Sequence, residues 1–165
     1  MSKLVFIALG YNLGDSRRLL GQAIADLAKL SARPLLKSSL WQTTPVDCPP
    51  DSPMFVNAVV CLLPRKDETP ESLLEKLQAM EKECGRRPKK VLNEARPLDL
   101  DIIAFAGETI ATPELTLPHP RTYQRRFVLQ PLSEIAPDLV LPGQTKTVTE
   151  LLAELPRDET MKKIE

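Results

Sequence analysis

The sequence predicts an α+β fold, an antiparallel sheet with helices packed on it. Short apolar runs of strand length alternate with longer stretches of 3.6-residue periodicity. Their order along the chain is β-α-β-β-α-β. No internal repeat and no linker long enough to divide domains interrupts the 165 residues, so one domain over 1–165 is expected.

Leu4 to Leu9, ending at Gly10, is a nearly continuous apolar run and reads as a buried strand. The turn Gly10-Tyr11-Asn12-Leu13-Gly14-Asp15 follows, and Asp15 or Ser16 can cap a helix by accepting an orphan N–H of its first turn. Leu20, Ala23, Ile24, Leu27 and Leu30 recur at helical spacing, so one face stays apolar through about Ser31. Leu35 to Thr43 reads as a second strand between Pro34 and Pro45. Four prolines between Pro45 and Pro53 remove donors and fix φ, which makes that segment a loop. Met54 to Leu63 resumes as a strand, with Asn57 as its polar interruption.

Thr69-Pro70-Glu71 is a helix start: a cap, a proline at the first helical position and an acid in the first turn. Leu73, Leu74, Leu77, Met80 and Cys84 form its apolar stripe, and Gly85 fits its end. After a basic stretch, Leu98 to Phe105 reads as the fourth strand. This order is the split βαβ, ferredoxin-like plan, with two helices on one face of the sheet. A C-terminal extension follows: an extended segment over Gly107 to Pro120 with room for a small hairpin, a short helix near Phe127 to Ile135 and another near Val148 to Leu155.

Composition narrows the function classes. Twenty-two basic residues balance 22 acidic ones, with no basic excess of the kind nucleic-acid modules carry. Only 4% of residues are aromatic, whereas RNA-binding sheets usually display several aromatics. No apolar stretch approaches the roughly 20 residues that cross a bilayer, and the N-terminal run is too brief for a signal segment. The cysteines, Cys48, Cys61 and Cys84, are few, odd in number and without a CxxC pair, which supports neither a disulfide framework nor a zinc site. A cytoplasmic monomer with no nucleic-acid or membrane partner is expected.

The sharpest feature is Arg96-Pro97-Leu98-Asp99-Leu100-Asp101-Ile102-Ile103. Side chains on a strand alternate faces, so Leu98, Leu100 and Ile102 point to the core while Asp99 and Asp101 emerge together on the other side. Two adjacent carboxylates repel unless a cation lies between them. Hard oxygen ligands so placed suit magnesium, with nucleotide phosphates completing the shell. Two ordinary aspartates on a solvated edge strand would give the same pattern; Arg96 and the nearby basic stretch favour phosphate chemistry. In that stretch, Arg86, Arg87, Lys89 and Lys90 can solvate a loop or bind phosphate, for which arginine forks are well shaped. There is no GxxxxGK[ST], so this is not a P-loop. His119, the only histidine, lies in the proline-rich Leu117-Pro118-His119-Pro120-Arg121. The amide of Asn57 can pair with backbone or read the edge of a flat heterocycle.

In order and spacing these segments resemble the 6-hydroxymethyl-7,8-dihydropterin pyrophosphokinase family over about Leu4 to Leu152. The matching stretches are Gly10-Tyr11-Asn12-Leu13-Gly14-Asp15, Thr43-Thr44-Pro45-Val46, Phe55-Val56-Asn57-Ala58-Val59, Leu77-Gln78 with Glu81 and Gly85-Arg86, and Arg96 through Asp101. Leu117 through Arg121, Arg125 with Phe127, and Pro131-Leu132 with Glu134-Ile135-Ala136-Pro137 complete them. The resemblance implies a ferredoxin-like fold and a magnesium-dependent transfer of diphosphate from ATP to the pterin alcohol, releasing AMP, in folate biosynthesis. It implies that Asp99 and Asp101 hold two magnesium ions and that Arg86, Arg96 and Arg125 clamp the phosphates. Arg86, Arg96 and the two aspartates then form the catalytic set. His119, Gln78, Glu81 and Ile102 fall on the ATP side. Phe55 and Phe127 sandwich the pterin, Asn57 bonds its edge, and Thr44, Pro45 and Val46 complete that pocket. Loops over Thr43 to Pro53 and Arg86 to Arg96 are expected to close over the reactants, because water must be kept from the phosphates.

The chain departs from the family pattern at Tyr11, Trp41 and Asp47, where Ser, Tyr and Gly are usual. Before Arg96, Leu92-Asn93-Glu94-Ala95 stands in place of Arg-Trp-Gly-Pro, and Pro88 stands where a second loop arginine is common. These changes leave two readings: an active enzyme with a differently gated loop, or a pterin- and nucleotide-binding paralogue with weakened catalysis.

Overall fold

The computed structural model describes residues 3–11, 16–43, 55–85, 98–157 and 161–164. Its centre is an antiparallel sheet in the order β5 (Leu98–Phe105), β1 (Val5–Tyr11), β4 (Phe55–Leu62), β3 (Trp41–Thr43) and β8 (Lys162–Lys163), with β2 (Leu36–Lys37) also paired to β4. β1 (Val5–Tyr11) lies between β4 (Phe55–Leu62) and β5 (Leu98–Phe105). It runs two residues beyond the apolar run that announced it, because Gly10 and Tyr11 continue both ladders.

Helices α1 (Ser16–Ala28) and α2 (Pro70–Gly85) cover one face, as the sequence predicts. Leu20, Leu27, Leu73 and Leu77 are fully buried there against Val5, Ile7 and Leu9 of β1 and Leu98, Leu100 and Ile102 of β5. At the head of α2, the Ser72 N–H donates to the Thr69 hydroxyl at 3.0 Å, the expected cap. The expected cap at Asp15 lies outside the described residues. α1 stops at Ala28 instead of Ser31. The Ser31 hydroxyl accepts instead from Leu63 N at 3.1 Å, fastening the chain to the end of β4.

The C-terminal extension covers the second face. Helix α3 (Arg126–Ile135) and helix α4 (Val148–Ala153) bury Val128, Leu129, Leu132, Val148 and Leu151 against Phe6, Val59, Cys61, Ile103 and Ala104. Burial pushes the Cys61 thiol up to about 11, so this thiol stays protonated. The hairpin expected after residue 107 forms from β6 (Ile110–Ala111) and β7 (Thr116–Leu117).

The single strand expected over Leu35 to Thr43 is two, β2 (Leu36–Lys37) and β3 (Trp41–Thr43). Buried Ser38 breaks the ladder: its N–H donates to Val59 O, while its hydroxyl accepts from Val59 N, both at 2.9 Å. A side-chain oxygen thus replaces a backbone carbonyl. The short C-terminal β8 (Lys162–Lys163) pairs with β3 and was not foreseen. Two residues with little apolar character carry no strand signal; the edge of β3 recruits them. Among the described residues, no helix is long and apolar enough to cross a membrane.

Candidate functional site

Asp99 and Asp101 follow the expected alternation. Leu98, Leu100 and Ile102 are buried under α1 and α2, while Asp99 is exposed and Asp101 half-buried on the face that α3 covers further along. Asp99 stands across from Gly10, and Gly10 from Asn57 on the far side of β1. One row of the sheet therefore reads Asp99, Gly10, Asn57, Trp41. Gly10 has a steric reason to be glycine: a Cβ there would lie 2.9 Å from Asn57 Oδ1, so only a bare backbone lets that amide lie across β1. In the sequence, Gly10 reads as the first residue of a turn. A glycine inside an otherwise apolar strand was the available signal.

Beyond Asp101 the alternation breaks. Ile7 pairs with Ile102 but Phe6 with Ala104, so Ile103 is an extra residue in the ladder. This bulge puts Ile103 and Ala104 on the same side, in the α3 core, and leaves the Ile103 carbonyl to accept from His119 N at 2.9 Å. The bulge thereby seats His119 beside Asp101. The Leu117–Pro118 peptide just before it is cis. His119 Nδ1 accepts from the Arg121 N–H at 3.3 Å, which places the ring proton of the neutral imidazole on Nε2. Burial holds the His119 pKa below its ordinary value; the nearby Asp101 opposes this, and Arg125 and Arg121 reinforce it.

Asp101, Ile102, His119, Arg121 and Arg125 line a pocket of about 440 Å³, together with Leu74 of α2 and the tip of the β6–β7 hairpin. Asp101, His119 and Arg125 also line a smaller crevice against Ala8 and Val128. Ile102 borders the pocket although its side chain is core. On the open edge of β5, Leu100 N donates to Glu81 Oε2 at 2.8 Å. Strand alternation turns the Ile102 backbone to that same edge, so backbone is what Ile102 offers. Glu81 is thus engaged between the two aspartates, and Gln78, one turn earlier on α2, is exposed.

Phe55 and Phe127 are 41% and 36% exposed, unusual for phenylalanine and consistent with rings awaiting a flat partner. Phe55 and Asn57 share the α3 face of β4 with Val59, and Phe127 lies in the first turn of α3. The Arg125 guanidinium lies 5.4 Å from the centre of the Phe127 ring, so this arginine joins the pocket to the ring. Across from Phe55, the buried Thr43 hydroxyl has no hydrogen-bond partner among the described residues. Thr43 directly precedes Thr44, Pro45 and Val46, the residues that the sequence proposes for this wall. Arg86, Arg96, Thr44, Pro45 and Val46, and the two expected closing loops apart from Thr43, lie outside the described residues.

Comparison with known proteins places the chain in a family. The model of the 7,8-dihydro-6-hydroxymethylpterin-pyrophosphokinase family matches residues 6–137. A 2-amino-4-hydroxy-6-hydroxymethyldihydropteridine pyrophosphokinase of Bacillus subtilis is 42% identical over 82% of this chain and 79% of its own length. One from Pseudomonas aeruginosa is 38% identical over 94% of both chains. Among solved structures, a wild-type Plasmodium falciparum HPPK-DHPS with pterin and p-hydroxybenzoate superposes with a TM-score of 0.71 at 14% identity, over 98% of this chain and 46% of that one. That last likeness speaks for the fold; this chain spans less than half of that longer protein. By family model and by relatives matched along most of their length, the chain belongs to the 7,8-dihydro-6-hydroxymethylpterin-pyrophosphokinase family.

Proposed function

We propose that this chain transfers diphosphate from ATP to 6-hydroxymethyl-7,8-dihydropterin, with magnesium, as a cytoplasmic monomer serving folate synthesis. One observation carries the reading: Asp101 meets His119 and Arg125 at a pocket, and the neighbouring row of the same face runs from Asp99 through Gly10 to Asn57. Nucleotide and heterocycle would then lie side by side.

The residues fit magnesium. Two carboxylates on one face supply hard oxygens, and among the described residues no cluster of three or more His, Cys, Asp or Glu forms an all-protein cage. Magnesium commonly binds through one or two carboxylates with substrate phosphates completing the shell. Asp99 and Asp101 would hold it; bound there, it neutralises phosphate charge and orients the transferred group.

The chain's own groups do the remaining positioning. Arg125 pairs with phosphate oxygens as a permanent cation, and Arg86 and Arg96 are assigned the same role from the sequence. His119, held neutral, donates from Nε2 to a phosphate oxygen. The Ile102 backbone, with Gln78 and Glu81 of α2, borders the nucleotide. Phe55 and Phe127 take the pterin between them, and Asn57 and Thr43 offer it hydrogen bonds. The hydroxymethyl oxygen then attacks the β-phosphorus in line, the bond to the α-phosphate oxygen breaks, AMP leaves and the hydroxyl proton passes to solvent. No covalent enzyme intermediate is needed, because alignment and charge neutralisation suffice.

Purified protein incubated with ATP, magnesium and the pterin alcohol should release one AMP per pterin consumed, and chelation should stop it. Absence of AMP at saturating magnesium would reject transfer; nucleotide and pterin binding without AMP would identify a binding paralogue instead.

A further inference from the structure

We propose that Glu134 is a positioning residue for the pterin half of the site, a role that rests on the function proposed above. Its carboxylate, on α3, collects three donors from a segment 93 to 95 residues away in sequence. Oε1 accepts from Ser39 N at 3.1 Å and from Trp41 Nε1 at 2.8 Å, and Oε2 accepts from the Ser39 hydroxyl at 2.8 Å. Lys163 of β8 adds an amino group 3.7 Å from Oε2, and the same amino group lies 5.9 Å from the centre of the Trp41 ring.

These bonds sit where the sheet's own ladder is broken, between β2 and β3. A carboxylate is a stronger acceptor than a backbone carbonyl. It therefore fixes the start of β3 against α3. Both elements are walls of the pterin site. Phe127 lies in the first turn of α3, seven residues and about 10 Å of helix before Glu134. β3 places Trp41 across from Asn57 and Thr43 across from Phe55. The nucleotide groups Asp101 and Ile102 belong to β5, at the other side of the sheet. Three strand spacings separate β3 from β5, about 14 Å. Loss of the Glu134 bonds should loosen the pterin walls and leave the nucleotide pocket largely intact. Without Glu134, Ser39 and Trp41 regain water as a partner, so the change is felt in wall placement more than in burial.

The test measures the pterin alcohol and a non-hydrolysable ATP analogue by calorimetry, with magnesium, on wild type, Glu134→Ala and Glu134→Gln. Trp41 is the chain's only tryptophan, so its emission reports the network directly. Glu134→Ala should weaken pterin binding about tenfold and nucleotide binding by less than about twofold, with a shift in Trp41 emission. Glutamine keeps an oxygen for Trp41 Nε1 and Ser39 N, so Glu134→Gln should recover pterin affinity to within about threefold of wild type. Unchanged pterin affinity in Glu134→Ala, or equal loss of pterin and nucleotide, overturns the inference and leaves the enzyme assignment standing. If Glu134→Ala does not fold, Trp41→Phe removes one donor while keeping a ring; it should weaken the pterin alone, and no change there overturns the inference. A wild type that binds no pterin overturns both this role and the proposed function.

Discussion

The two faces of the sheet are made by the same strands and end differently. On the α1–α2 face, β1 contributes Val5, Ile7, Leu9 and Tyr11, all buried, and β4 contributes Val56, Ala58, Val60 and Leu62, also all buried. That face is core along its whole length. On the α3 face, the core covers only one end, with Phe6, Val59, Cys61, Ile103 and Ala104 under α3 and α4. Past that core the rows run through Ala8, between Asp101 and the still-buried Val59, and then through Gly10, between Asp99 and Asn57. The helices are longer on the first face, 13 and 16 residues against 10 and 6. Among the described residues, the shorter helices leave part of that face uncovered, and the polar groups on the rigid strands there are the candidate site.

The contrast can be broken most forcefully at Asp101. Asp101→Asn should cut AMP release by about 1,000-fold, equivalent to about 4 kcal/mol of transition-state stabilisation. Its thermal midpoint should stay level or rise, because Asp101 is only half-buried and the change removes one of two neighbouring like charges. A variant that lost stability and kept activity would invert the assignment of the two ends. Leu9→Ala probes the covered face: the side chain is 1% exposed, and its truncation should cost about 2 to 5 kcal/mol in urea unfolding. Activity per folded molecule should remain near wild type. Gly10→Ala sharpens the comparison at the boundary itself. The new methyl would meet Asn57 Oδ1 at 2.9 Å, so the amide must move. Pterin affinity should fall about tenfold while the affinity for the ATP analogue holds. Equal affinity for pterin would show that Asn57 does not read it from this position.

Much of this was legible from local pattern. Apolar periodicity placed α1 and α2, and the period of two in Leu98-Asp99-Leu100-Asp101-Ile102 set which side chains face which way, since both follow from backbone geometry within a few residues. The pattern failed where a distant group intervened. Leu35 to Thr43 has the composition of one strand, yet Ser38 takes over a ladder bond and Glu134 claims Ser39 and Trp41. His119 could not be distinguished from a loop histidine, because its place beside Asp101 depends on a bulge at Ile103 that leaves no mark on the local sequence.

By itself, the sequence determined the β-α-β-β-α-β plan apart from the split of its second strand, the buried stripe of α1 and α2, and the shared face of Asp99 and Asp101, because each depends on neighbours along the chain. Tertiary structure alone decided that Asn57 lies over a bare Gly10, that His119 and Arg125 close on Asp101, and that Glu134 spans from α3 to β3. Those are encounters between segments far apart in sequence. Their geometry is set by strand register and helix packing, which no local window contains.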